Sequence, residues 1–342
     1  MAPMAANDTQ RSVVLKRRPT GEPGPEHFEI RENPMPQPGA GEVLTRTIWL
    51  SIDPYMRGRL REVQTYAAPI MPGEVMTGES IGEVIASGDP GFSAGDIVGG
   101  GRGWQSHSIS RAAALHTLDR HAAPLSAYLG VLGMPGTTAY SGMTDIGQPK
   151  AGETVVISAA SGAVGSVAGQ LAKRAGARVI GVAGGPDKCL WVQEVLGFDA
   201  CIDHRVGNLD AALRETCPNG IDMYFENVGG ALQHAVFAQL NPFARVVMCG
   251  MVAQYNEAEM PPGPNLGFVV GKRVRVEGLI VSDKPQRFAE WRALASPWVK
   301  AGTLHYRETV LDGLDSAPEA LSGLLRGENF GKMLVKVGAD PA

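Results

Sequence analysis

The chain has 342 residues, more than one hydrophobic core usually holds, so about two domains are expected. Hydrophobic residues make up 44% and charged residues 19%, a globular composition that excludes a disordered chain. The net charge of −4, with 31 basic residues spread along the chain, excludes an electrostatic footprint for nucleic acid but leaves room for a small anion held by a few local cations.

Glycine is the outlier: 44 of 342 residues, roughly twice the usual ~7%, without a collagen period. Such an excess predicts tight turns and close backbone approach to a ligand. The N-terminal MAPMAANDTQRSVVLKRRP has no apolar core and argues against a secretory signal. Two uncharged stretches, Pro124–Thr144 and Thr154–Ala172, are broken by Gly, Pro, Ser and Thr and are rejected as membrane spans. Cys189, Cys201, Cys217 and Cys249 form no C-x-x-C pair, and none falls in the first half of the chain. A disulfide framework is therefore not expected, and a cytoplasmic protein is.

In chain order, the first part alternates short apolar runs with turn signals. Val13–Leu15, Val43–Ile52, Ser80–Ser87 and Ile97–Gly100 are separated by Pro34, Pro36, Pro38, Gly39, Gly41, Gly91 and Gly95. Runs of this length and spacing predict a β-rich, barrel-like domain. The rhythm changes near residue 150. Thr154–Ser158 is an apolar, β-branched strand, followed by a glycine loop and a helix with Val164, Val167, Ala168, Leu171, Ala172 and Ala175 on one face, closed by Gly176. Strands then follow at Arg178–Ala183, Ala200–Asp203, Ile221–Glu226 and Arg245–Gly250, alternating with helices at Lys188–Leu196, Leu209–Thr216 and Ala231–Gln239. This alternation predicts right-handed βαβ units and a parallel sheet covered on both faces. Gln254–Gly267 reads as a long functional loop, Val274–Val281 as a strand, Pro285–Lys300 as a helix, and the tail as strands around a helix at Ser316–Arg326.

The loop Ala159-Ala160-Ser161-Gly162-Ala163-Val164-Gly165-Ser166 has the spacing of a dinucleotide fingerprint, with Ala160 at the first glycine position. Gly162 would admit a diphosphate to the backbone, and Gly165 would let helix and strand pack closely. At the end of the next strand stands Val182-Ala183-Gly184-Gly185-Pro186, where NAD sites place an acid. Lys188 and Arg205 instead offer cations suited to a 2′-phosphate, so NADPH is the expected cofactor.

With these residues in hand, residues 12–337 resemble the zinc-free medium-chain dehydrogenase/reductases. The resemblance is to the leukotriene hydroxydehydrogenase/prostaglandin reductase branch, with the plant double-bond reductases and bacterial curcumin reductases. It rests on Leu50-Ser51-Ile52-Asp53-Pro54-Tyr55-Met56-Arg57-Gly58, Gly133-Met134-Pro135-Gly136-Thr137-Thr138-Ala139-Tyr140 and the glycine loop. Phe225-Glu226-Asn227-Val228-Gly229-Gly230, Cys249-Gly250-Met251 and Asn329-Phe330-Gly331-Lys332 add to it. The resemblance implies an α/β protein: a GroES-like β-barrel domain (1–130 and 305–342), a Rossmann doubly wound domain (131–304), a cleft between them and a homodimer. Carried over by position, Gly162, Ala163, Val164 and Gly165 would bind the diphosphate, and Lys188 and His204 the adenosine phosphate, with Arg205 beside them. Asn227 would contact the ribose. Cys249, Gly250, Met251, Tyr255, Leu279, Ile280, Val281 and Asn329 would line the nicotinamide half, with Met134 and Thr138 near its ring. The family often has Tyr where this chain has His204, a departure that can weaken the contact or make it pH-dependent.

The barrel half has no cysteine, and His27, His107, His116 and His121 lack metal-ligand spacing, so metal-assisted alcohol oxidation is not expected. Hydride transfer without a metal suits a polarised C=C: hydride adds at the carbon β to a carbonyl and charge collects on the oxygen as an enolate. The substrate is then a small hydrophobic enone, with Tyr255 as hydrogen-bond donor to the enolate and Tyr55 lining the substrate end. Arg57 and Arg59 read as braces. A quinone oxidoreductase and a non-catalytic NADPH-binding protein are the rival readings.

Overall fold

The computed structural model describes residues 9–63 and 65–341; residues 1–8, on which part of the N-terminal signal reading falls, lie outside the described residues. The chain divides into two compact units. One runs through Leu129 and takes up Glu308–Asn329 and the chain from Met333; the other is Gly130–Arg307 with Phe330–Lys332.

In the first unit Thr9–Leu15 pairs antiparallel with Phe28–Pro34. A seven-stranded sheet follows in the order Glu308–Asp312, Lys332–Lys336, Glu42–Ser51, Ser80–Ser87, Ile97–Gly100, His116–Thr117, with His107–Arg111 also on Glu42–Ser51. The long strand Glu42–Ser51 shifts register between Leu44 and Thr45 and between Thr47 and Trp49. Such irregularities bend a strand and let a sheet curl into a barrel-like form. Its interior is closed by Leu15, Leu50, Ile52, Met56, Leu60, Met76, Trp104 and Leu321. The helix Ala317–Leu325 contributes Leu321. This is the GroES-like half.

The second unit holds a six-stranded sheet in the order Ala200–Asp203, Arg178–Ala183, Thr154–Ser158, Ile221–Glu226, Leu240–Met248, Arg275–Gly278. Every neighbouring pair is parallel. Numbered within the sheet, the order is 3-2-1-4-5-6, the doubly wound dinucleotide arrangement, and the strand order reverses between Thr154–Ser158 and Ile221–Glu226. Val155, Val156, Ile157, Met223, Tyr224, Phe225, Val246 and Val247 are fully buried, as expected of strands covered on both faces.

The uncharged run before this unit's first strand ends in a helix, Met134–Ser141, buried at Pro135–Ala139 and continued by the π-helix Gly142–Gly147. It is apolar because it is core, and among the described residues no helix is long and apolar enough to cross a membrane. Three elements near the C-terminal edge of this sheet differ from the sequence reading. The fifth strand begins at Leu240 rather than Arg245, because Leu240 already pairs with Ile221 across an irregular register. A short helix, Gly267–Lys272, follows the proline-rich loop; only Phe268 and Val269 pack against the core, too few to give a helical period. The sixth strand stops at Gly278, and Val281–Asp283 is a 3₁₀ turn.

Candidate cofactor and active site

The first parallel strand delivers the chain into the glycine loop. Ala159 takes φ 48, and Gly162 N–H donates to Ala159 O at 2.9 Å. The helix Gly165–Arg174 starts at once, with Val164 at its N-cap and no side chain capping it. A Cβ on Gly165 would lie 2.3 Å from Ala159 O, so only glycine lets the helix start so close to the loop. The first amides of a helix have no carbonyl of their own to bond and carry the positive end of its dipole. The turn Gly162–Gly165 therefore presents backbone amides and a positive helix end, features that suit an anion.

Cation-capable side chains gather one strand over. A Cβ on Gly184 would lie 2.9 Å from both His204 Nε2 and Arg205 Nε, and one on Gly185 3.5 Å from an Arg205 terminal nitrogen. The helix Pro186–Glu194 rises from the same turn and carries Lys188. Burial, then Arg205, holds the Lys188 ammonium below its usual range, and the same two causes lower His204. Such crowding is relieved by an anion. Asp203 partly offsets that crowding at His204, while its Oδ1 accepts from the backbone N–H groups of Gly185 (2.9 Å) and Arg205 (3.0 Å). It pins the turn that presents the cations, a role the sequence reading missed.

At the switch point the carboxyl ends of strands one and four are tied together. Ser158 Oγ accepts from Asn227 N–H (2.7 Å) and donates to Phe225 O (3.0 Å), while Asn227 Nδ2 donates to Ser158 O (2.8 Å). These bonds fix the Asn227 carboxamide against the end of strand one. Val252 N–H donates to Asn227 O (3.1 Å) and Ala253 N–H to Val228 O (2.9 Å), which zips the segment Cys249–Tyr255 to this turn. Cys249 is an inert thiol: burial, helped by Glu226, pushes it up to about 12. Tyr255 folds back so that its hydroxyl oxygen accepts the Met251 N–H at 3.4 Å and lies 3.0 Å from where a Gly250 Cβ would be. Leu279, Ile280 and Val281 are half-buried, and Leu279 N–H donates to Met248 O at 3.0 Å. In the helix Met134–Ser141, Thr138 Oγ1 donates to Met134 O at 2.8 Å.

The strap Phe330–Lys332 is a second feature the sequence reading missed. Gly331 N–H donates to Ser161 O at 3.1 Å, and Gly331 bridges Gly162. Phe330 meets Trp191 edge-on at 5.2 Å, with the Arg307 guanidinium 4.1 Å from its ring centroid. A three-residue segment distant in sequence thus backs the glycine loop. Asn329 precedes it and belongs to the first unit, as does Tyr55. Tyr55 packs against the barrel core; burial, then Asp53 and Glu79, holds its phenol protonated far above the usual range. Arg57 donates to Gly21 O at 2.8 Å and Arg59 bonds Ala68 O. Among the described residues, no group of three or more His, Cys, Asp or Glu stands together as a candidate metal site.

An uncapped helix behind a glycine loop, on a 3-2-1-4-5-6 sheet joined to a GroES-like unit, defines a nucleotide-dependent oxidoreductase. Family comparison agrees: residues 11–118 match the N-terminal domain of oxidoreductase, and residues 163–300 match the model described as zinc-binding dehydrogenase. The chain is 47% identical to the NADPH-dependent curcumin reductase of Escherichia coli (strain K12) over 336 residues, 96% of this chain and 97% of that one. It is 40% identical to the NADP(+)-dependent 2-alkenal reductase of Nicotiana tabacum over 344 residues, 98% of this chain and 100% of that one. A solved structure of CurA from Vibrio vulnificus in complex with NADPH superposes with a TM-score of 0.92 at 43% identity, covering 96% of this chain and 100% of that one. The chain belongs to the medium-chain dehydrogenase/reductases, in the branch of the curcumin, 2-alkenal and prostaglandin reductases.

Proposed function

We propose that the protein is an NADPH-dependent ene-reductase that reduces the C=C bond of small hydrophobic α,β-unsaturated ketones and aldehydes without a metal ion. The observation that carries the cofactor assignment is the gathering of Lys188, His204 and Arg205 about the Gly184–Gly185 turn, with the nearby Asp203 bonded to backbone amides. The relatives named for NADPH and for alkenals or curcumin support the same reading. When bound, NADPH supplies the hydride that reaches the carbon β to the substrate carbonyl. The amides from Gly162 to Gly165 hold the diphosphate, and Lys188, His204 and Arg205 hold the 2′-phosphate. Asn227 orients the nicotinamide-side ribose. Cys249–Tyr255, Leu279–Val281, Met134 and Thr138 wall the nicotinamide half. Tyr255 donates a hydrogen bond to the substrate oxygen as charge collects there.

One well-placed donor of this kind contributes roughly 3 kcal/mol, or about a hundredfold in rate. The test is NADPH consumption with a 2-alkenal, for wild type and Tyr255→Phe. A hundredfold-lower kcat with little change in the KM for NADPH is expected. Equal rates remove Tyr255 from the mechanism; no turnover of any enone by wild type removes the reaction class, and turnover of quinones alone selects a quinone oxidoreductase.

We infer further that the protein is a cytoplasmic homodimer, with domains at 1–130 plus 305–342 and at 131–304. The edge strand Arg275–Gly278 is exposed at all four residues. An exposed edge invites pairing with another chain. An antiparallel pair about a two-fold axis at Val276 would set Arg275 of each copy against Glu277 of the other, a self-complementary register.

A further inference from the structure

Glu226 ends the fourth strand at the switch point and is 0% exposed. A carboxyl group is rarely sealed in this way without a partner for each oxygen. Its Oε1 accepts from Val228 N–H at 2.7 Å and Gly229 N–H at 3.0 Å, and it lies 3.2 Å from the Ser158 hydroxyl, whose one hydrogen it shares with Phe225 O. Its Oε2 is sealed and lacks a well-formed hydrogen bond, as does the Tyr224 hydroxyl, and the two groups are close enough to perturb one another's ionisation. Burial raises the pKa of both, while the Gly229 and Val228 amides work the other way at Glu226. The geometry is that of an acid used for the reach of one oxygen.

What Oε1 holds is the turn that carries Asn227. Gly229 and Gly230 follow with φ 77 and φ 61. Two consecutive left-handed glycines leave a turn that many backbone conformations could satisfy. The backbone oxygen of Glu226 also accepts from Cys249 N–H (2.9 Å) and Gly250 N–H (3.1 Å), at the start of the segment that ends in Tyr255.

We propose that Glu226 is a positioning residue for the reduction: by accepting the Val228 and Gly229 amides it fixes the turn that aims Asn227 and carries the Tyr255 segment, and it acts by length rather than by charge. The inference rests on the reading that Asn227 contacts the cofactor ribose. The adenosine half of the site, with the glycine loop and Lys188, does not depend on this bond. Glu226→Gln keeps the acceptor at the same reach and can donate towards Tyr224; Glu226→Asp keeps the carboxyl group but withdraws the acceptor by one methylene; Glu226→Ala removes it.

The experiment measures the Kd of NADPH and of adenosine 2′,5′-bisphosphate by calorimetry, and kcat with a 2-alkenal, for wild type and these variants. Glu226→Gln is expected within about threefold of wild type, and Glu226→Asp and Glu226→Ala to bind NADPH about tenfold or more weaker with a lower kcat, because two buried donors lose their acceptor. Binding of adenosine 2′,5′-bisphosphate stays within about twofold in every variant, since it uses only the other half of the site. Should Glu226→Ala fail to fold, the order of Glu226→Gln and Glu226→Asp decides. The inference is overturned if Glu226→Gln is as impaired as Glu226→Asp, if both ligands weaken together, or if nothing changes. Asn227→Ala separates the two levels. Unchanged NADPH affinity in Asn227→Ala sinks the cofactor reading of the turn, whereas weaker binding there beside an unaffected Glu226→Asp sinks only the role of Glu226.

Discussion

Removal of the Lys188 ammonium is the sharpest probe of cofactor choice. Lys188 sits half-buried on the helix that rises from the Gly184–Gly185 turn. In the free protein burial, then Arg205, disfavours its charge. In the complex Lys188→Ala removes a charge-assisted bond to the 2′-phosphate. A hydrogen bond to a charged group contributes about 1.5–3 kcal/mol, which at ~1.4 kcal/mol per decade is roughly 10- to 100-fold in Kd. NADH has no 2′-phosphate, and its affinity should move less than about threefold, because the glycine loop is untouched. Calorimetric Kd values for both cofactors, with KM values measured against a 2-alkenal, give the comparison. Equal losses for NADPH and NADH, or none for NADPH, would refute the assignment of the cluster to the phosphate.

Three further outcomes follow from the same geometry. His204 has its pKa lowered in the free protein by burial and Arg205, and a bound phosphate raises it. The extra affinity is therefore complete at pH below the free value and fades as pH rises through the value in the complex; NADPH Kd should tighten from about pH 8 to about pH 6 in wild type and lose that component in His204→Gln, and a slope unchanged by the substitution would count against the contact. Gly331 takes φ 76, and a Cβ there would lie 1.8 Å from Arg307 O. Gly331→Ala should cost more than about 1–3 kcal/mol of stability and weaken NADPH through the lost support of Ser161, read by thermal denaturation and calorimetry; wild-type values for both would show that the strap does not bear on the loop. Val276→Asp would place like charges together on the axis of the inferred dimer, and light scattering should report a single-chain mass; a variant that keeps the wild-type mass would move the interface elsewhere, and a single-chain wild type would remove it.

The nucleotide half was legible because its signals are local. Thr154–Ser158, the glycine loop and the amphipathic helix behind it are each determined within a few residues, by β-branching, by the space behind Gly165 and by a helical period. The missing acid at the end of Arg178–Ala183 was equally readable, since it depends on one position in a known frame. Phe28–Pro34 was missed because its sequence, FEIRENP, is mostly exposed and has no apolar period. Met134–Ser141 gave a family motif but no helical signal, because a helix buried on nearly every side shows no amphipathic face.

What the tertiary structure alone decided are the bonds that join positions far apart in the chain. No local pattern says that Gly331 will donate to Ser161, that Phe330 will meet Trp191, or that Asp203 will spend its carboxylate on the amides of Gly185 and Arg205. Nor does the run Phe225-Glu226-Asn227 reveal that its acid is sealed and holds the turn beside it. Periodicity and turn chemistry act over a few residues, so they fix elements and the loops at their ends. Which loops meet, and which side chains become buried where they meet, is set by the order of strands in the sheet, and that order is a property of the whole chain.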